Sequence, residues 1–123
     1  MSTLHCLFDR IIFGFLASSI SDIDALLHQV LEDGNALAYI ILSPEGIPVK
    51  FHEVIQYQNV ITYANLVSEF AQRAGVSLEA LFGNEGDAEL LSFRLRMKAG
   101  NEIVTTVCNE FLLVVIQKCS VKL

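Results

Sequence analysis

The chain has 123 residues, 53% of them hydrophobic and 18% charged, a size that suits one domain with one core and leaves no room for a second. A composition this apolar excludes intrinsic disorder and leaves apolar surface over for a partner. Eight basic residues against fourteen acidic ones give a net charge of −6, which argues against a general nucleic-acid or anionic-membrane binder.

The charge is unevenly spread. Residues 1–93 hold Arg10, Lys50 and Arg73 against twelve acids, whereas residues 94–123 hold five basic residues against Glu102 and Glu110. Three of those basic residues lie between Arg94 and Lys98, either as a solvated strand face or as a protein-docking patch. Cys6, Cys108 and Cys119 are an odd number with no CxxC spacing, so neither a disulfide framework nor a zinc site is signalled, and a reducing compartment fits best. The uncharged stretch 11–21 is about half the length that crosses a bilayer, so no membrane insertion is expected. It also reads poorly as a signal peptide, because Asp9 offsets Arg10 and the apolar run is short.

Leu4, Leu7, Phe8, Ile11 and Phe15 recur at helical spacing, and the pattern predicts a helix over 3–17 that Ile12, Phe13 and Leu16 make apolar nearly all round. Such a helix needs cover, either from its own domain or from a partner or second copy. Residues 1–20 are therefore set apart as an apolar helical extension, and 21–123 form the domain proper. Ser21-Asp22-Ile23-Asp24 resembles a capping box and opens a second helix that Gly34 ends. The continuous apolar run 36–42 predicts a strand buried on both faces. Ser43-Pro44-Glu45-Gly46 fits a type I turn with glycine at positive φ, and so a hairpin into 47–51, where Pro48 places the second strand at a sheet edge.

A long helix is predicted over 59–75, with Asn59 as N-cap and Gly75 as the residue that stops it. Its apolar side chains fill an arc of about 160° at 100° per residue, wider than one sheet contact needs. Val60, Ala64, Val67 and Ala71 form the core stripe. Tyr63, Leu66 and Phe70 lie at one margin, as further core or as a subunit contact. Residues 76–89 read as an acidic linker with a short helical turn at 77–82. Leu91, Phe93, Leu95 and Met97 then alternate with Ser92, Arg94, Arg96 and Lys98, which predicts an edge strand with one buried face. A Gly100-Asn101 turn leads to a strand at 103–108, and the apolar run 111–116 predicts a central strand covered on both faces. The sum is an α/β (α+β) domain: a three-layer α/β/α arrangement with a five-stranded, mainly antiparallel sheet and helices on both faces.

No glycine-rich phosphate cradle follows a strand, and His5, His28 and His52 share no metal-binding spacing. The acidic series Glu85, Asp87 and Glu89 lacks the spacing of an EF-hand. Neither catalysis nor a cofactor is expected.

Several runs together resemble the roadblock family of dynein light chains over about residues 22–118: Pro44-Glu45-Gly46-Ile47-Pro48-Val49-Lys50, Tyr63-Ala64-Asn65-Leu66, Phe93-Arg94-Leu95-Arg96, Asn101-Glu102-Ile103 and 111–117. The resemblance implies a five-stranded antiparallel sheet with helices on both faces, and two copies joined through their central helices and third strands into one sheet. It implies Tyr63, Leu66, Phe70, Phe93, Arg94, Leu95 and Arg96 as the positions that meet the second subunit. The function it implies is that of a noncatalytic light chain, homodimeric or paired with a related chain. Such a subunit binds the dynein intermediate chain and helps assemble the motor's cargo-binding tail. The implied location is cytoplasmic and cytoskeleton-associated, with a ciliary motor also open. Residues 1–20 have no counterpart in the short dynein members. Longer relatives of the fold serve as scaffold or regulatory subunits of small GTPases, which is the alternative expectation.

Overall fold

The computed structural model describes residues 28, 31–32, 36–83, 89–108 and 111–118. The helix expected over 3–17 lies outside them. So does most of that expected over 21–34, of which His28, Leu31 and Glu32 are described and helical.

The elements run β1 (Ala36–Leu42), β2 (Pro48–Phe51), α1 (Tyr57–Phe82), β3 (Ser92–Arg96), β4 (Asn101–Cys108) and β5 (Phe111–Lys118). The five strands form one sheet in the order β2-β1-β5-β4-β3 with every neighbour antiparallel. β5 is central, as its uninterrupted apolar run requires, and the two strands expected at edges are the edges. The β1–β2 and β3–β4 turns close in the same way. Gly46 takes φ 85° and its N–H donates to the Ser43 carbonyl at 2.9 Å, and Gly100 takes φ 101° and donates to the Met97 carbonyl at 3.0 Å. Positive φ at the turn's last position is reached at little steric cost only by glycine, which is why both turns end on one.

The sheet is packed on both faces. On one, Ala38, Ile40, Leu42, Ile103, Leu112, Val114 and Ile116 enclose Val60, Ala64 and Val67 of α1. On the other, Tyr39, Ile41, Leu113 and Val115 form a second cluster against which Leu31 packs. The register explains the division, because alternate residues of β1 and β5 point to opposite faces and the pairs Ile40↔Val114 and Ile41↔Leu113 fall on different ones.

The long helix departs from its expected bounds. It starts at Tyr57, two residues before Asn59, because a turn from His52 to Ile55, closed at 3.0 Å, delivers Gln56 extended as the N-cap. It continues through Gly75, which is an interior residue, and stops at Gly83, whose φ is 84° and whose N–H reaches the Glu79 carbonyl at 2.8 Å. Good helix formers on both sides, Ala71 to Ala74 and Leu78 to Leu81, outweigh the cost of one interior glycine, about 1 kcal/mol. The expected linker at 76–89 therefore begins inside the helix. Smaller differences occur at strand ends: β2 starts at Pro48 rather than 47, β4 at Asn101 rather than 103, and β5 runs on to Lys118 rather than 116.

Candidate functional site: the margin between α1 and β3

At 26 residues α1 is about 39 Å long, well beyond the span of about 26 Å that the eight-residue strands cover. Only Val60, Ala64 and Val67 are fully buried, so one turn after another presents apolar side chains that the sheet does not cover. Tyr63, Leu66 and Phe70 lie on the flank of α1 that faces β3. Leu66 is 44% exposed and Phe70 39%, while Tyr63 is half-buried against the core. Phe70 meets Phe93 of β3 with ring centroids 4.6 Å apart and planes tilted by 38°. Phe93 and Leu95 are half-buried at the outer limit of the same core. A shallow cavity of about 310 Å³, lined by Asn59, Thr62, Tyr63 and Leu66, opens on this flank.

Five of the seven positions singled out in the sequence thus come together on one face: Tyr63, Leu66, Phe70, Phe93 and Leu95. Arg94 and Arg96 do not join them, because they pair with Val104 and Glu102 and point to the opposite face. There they share one carboxylate. Glu102, 4% exposed, accepts a 2.7 Å hydrogen bond at Oε1 from Gln117 Nε2. Arg94 Nη1 stands 3.8 Å from Oε1, and Arg96 Nε 3.8 Å from Oε2. A buried carboxylate is tolerated only with such partners. The arrangement turns the charged face of the edge strand into an anchored cluster rather than a freely solvated one. Glu102 and Gln117 are the residues that sequence reasoning missed. The signal was present in the strand period, since Glu102 and Gln117 are cross-strand neighbours on the face that carries Arg94 and Arg96. Leu91 and Met97, expected on the buried face of β3, are 65% and 41% exposed, since they lie beyond the ends of the strand.

No group of three or more metal-ligating side chains occurs among the described residues, and none of their helices is long and apolar enough to cross a membrane. A wider groove of about 520 Å³ on the other flank of α1 is lined by Pro44, Glu45, Ser68, Ala71, Gln72 and Leu112 among others. Its polar side chains are those of Glu45, Ser68 and Gln72. His52 lies elsewhere, stacked on Tyr39 at 5.6 Å with the edge of His28 at 6.3 Å.

A five-stranded antiparallel sheet of this order, with a long helix laid across one face, defines an α+β domain of the roadblock/LC7 fold. The chain is similar over 91% of its length to a roadblock/LC7 domain from Streptomyces avermitilis, with 14% identity, 78% of that chain covered and a TM-score of 0.59. It is similar over 75% of its length to the gliding protein MglB from Thermus thermophilus, with 16% identity, 67% of that chain covered and a TM-score of 0.61. A structure of MglB in a tetrameric arrangement matches with 16% identity over the same 75% of this chain and 67% of its own, at a TM-score of 0.60. No family model and no curated protein sequence matches the chain. The roadblock fold expected from the sequence motifs is therefore the fold observed.

Proposed function

We propose that the chain is a noncatalytic roadblock-fold subunit that pairs with a second copy or a related chain and, so paired, scaffolds or regulates a small GTPase. The observation that carries the reading is the half-exposed apolar margin of Leu66 and Phe70 beside β3, the strand at the edge of the sheet. Apolar side chains of this size next to an edge strand are the usual makings of a subunit contact. Pairing across this edge joins two sheets into one and lays two α1 helices side by side, and that platform is broad enough to receive a folded partner. Oligomer formation has a parallel in the tetrameric arrangement of MglB. The similar solved structures come from a bacterial gliding protein and a Streptomyces domain, so this fold is not tied to the dynein motor.

The second reading is a dynein light chain that binds the intermediate chain and works in the cytoplasm on the cytoskeleton. The run of motifs from Pro44 to 117 favours it. Capture of tagged protein from a native extract, followed by mass spectrometry of whatever is stoichiometric, separates the two. A small GTPase whose hydrolysis or exchange rate changes on adding this chain supports the first reading. Dynein intermediate chain moves the assignment to the second, and recovery of neither overturns both.

A further inference from the structure

A second apolar surface lies on the other flank of α1, away from the proposed pairing margin. Val49 and Phe51 of the edge strand β2, Val54 in the turn that follows, and Tyr57 and Ile61 of α1 are all exposed, at 48%, 36%, 67%, 57% and 37%. Two contacts hold α1 alongside β2 and mark the ends of the apolar strip between them. At one end the rings of Phe51 and Tyr57 are 6.0 Å apart. At the other, Gly46 approaches the helix so closely that a Cβ on it would clash with Ser68 Oγ. Strand addition is a poor use of this edge. β2 has four residues, Pro48 brings no N–H, and the pairing with β1 shifts register between Ile41 and Leu42. What it offers is side-chain surface, and an apolar helix is the occupant that fits.

We infer that the chain's own N-terminal segment, residues 3–17, docks on this strip in cis through Leu4, Leu7, Phe8, Ile11 and Phe15. Position favours it. His28 lies 6.3 Å from His52, the residue that follows β2, and 6.1 Å from Tyr39 of β1, so the helical residues that precede β1 sit beside the β2 edge, on the sheet face opposite α1. The pairing margin is four strands away, about 19 Å at the usual strand spacing. Reach favours it as well. The ten residues from 18 to 27 span up to about 34 Å when extended and about 15 Å as helix, enough to turn round one edge strand. Length matches too. Leu4 and Phe15 are eleven residues apart, as are Tyr57 and Ser68, the α1 residues at the two ends of the strip, and eleven residues of helix span about 16 Å. Chemistry agrees: residues 3–17 carry only Asp9 and Arg10 as charges, and five exposed apolar side chains face them. The inference does not rest on the proposed function. It assigns residues 1–20 a place on the domain itself and leaves the β3 margin open for pairing.

The chain contains no tryptophan, so an indole placed by Val54→Trp is a unique reporter at a site exposed enough to accept it. With Cys108→Ala and Cys119→Ala, Cys6 becomes the only thiol and can carry a nitroxide, which quenches indole emission at contact range. The expected result is a loss of indole emission on labelling that a large excess of unlabelled natural protein leaves unchanged. Unaltered emission on labelling would overturn the inference. Recovery of emission in the excess would overturn it as well, since the segment would then come from a second copy. Should the cysteine replacements not fold, Leu7→Asp with Ile11→Asp in the Val54→Trp chain is the second test. A red shift and faster iodide quenching are expected there, and an unmoved spectrum would refute docking.

Discussion

Truncating Phe70 to alanine separates association from folding. The side chain is 39% exposed in the single chain, and a phenylalanine offers some 150–250 Å² for burial. About 80 Å² therefore remains for a partner to cover, worth about 2 kcal/mol at roughly 25 cal/mol per Å². A two-fold pair covers this surface twice, so Phe70→Ala should cost the dimer about 4 kcal/mol, or about a thousandfold in Kd. Its cost within one chain is smaller. Loss of the 4.6 Å contact with Phe93 is that of a partly buried ring, about 1–2 kcal/mol and below the 3–5 typical of a fully buried one. Sedimentation equilibrium gives the first quantity and urea unfolding the second. Val76→Ala, on a helical position 64% exposed and turned by about 120° from Phe70 at 100° per residue, serves as the control and should move neither by much. A Kd within tenfold of the natural chain's, with the unfolding transition intact, would refute the assignment of this margin to subunit pairing.

Gly75→Ala should stabilise the chain by about 0.5–1 kcal/mol in urea or thermal unfolding, because the residue is inside α1 and a Cβ there meets nothing within 4 Å; a loss of similar size would put a helix end at Gly75 instead. Gly46→Ala should cost about 2–4 kcal/mol, the left-handed φ of 85° and the clash with Ser68 adding; combining it with Ser68→Ala should recover part of the clash and none of the φ cost. Arg94→Ala and Arg96→Ala should each cost less than about 1 kcal/mol, while the double variant should exceed their sum by about 1 kcal/mol or more, since among the described residues it leaves the buried Glu102 with Gln117 alone. Strict additivity in a double-mutant cycle would show that the three side chains do not act as a unit.

What could be read from the sequence was set by period and punctuation. The runs 36–42 and 111–116 are too uniformly apolar for a half-wet strand, and they became the strands buried on both faces. Pro48 and the alternating charges after Ser92 marked the two edges, and Gly46 took the positive φ expected of it. The limits of α1 were less legible because they depend on sums. Asn59 and Gly75 have the right chemistry for caps. Yet a turn at His52 to Ile55 starts the helix earlier, and the helix formers beyond Gly75 carry it past. At the candidate site, Tyr63, Leu66 and Phe70 followed from an arc wider than one sheet contact needs, and Phe93 and Leu95 from the alternation along β3. The destination of Arg94 and Arg96 did not follow, because it depends on which carboxylate the strand register brings opposite them. That partner, Glu102, belongs to the next strand.

The two edges of the sheet are not equivalent, and the difference bears on which one associates. β2 is short, carries a proline and shifts register against β1, three devices that blunt an edge against further pairing. β3, at five residues only one longer, has neither the proline nor the shift. It pairs with β4 in unbroken register from Ser92 to Arg96, and its charges, the usual remaining safeguard, are drawn onto the buried Glu102 on one face only. A strand that is regular, free of proline and apolar on its other face is suited to receive a second strand. If pairing uses it, backbone amides of β3 that point away from β4 should exchange with deuterium more slowly as protein concentration rises through the Kd, while those of β2 keep one rate throughout. Concentration-dependent protection confined to β2 would transfer the subunit contact to the opposite edge and leave the apolar margin of Leu66 and Phe70 for a different partner.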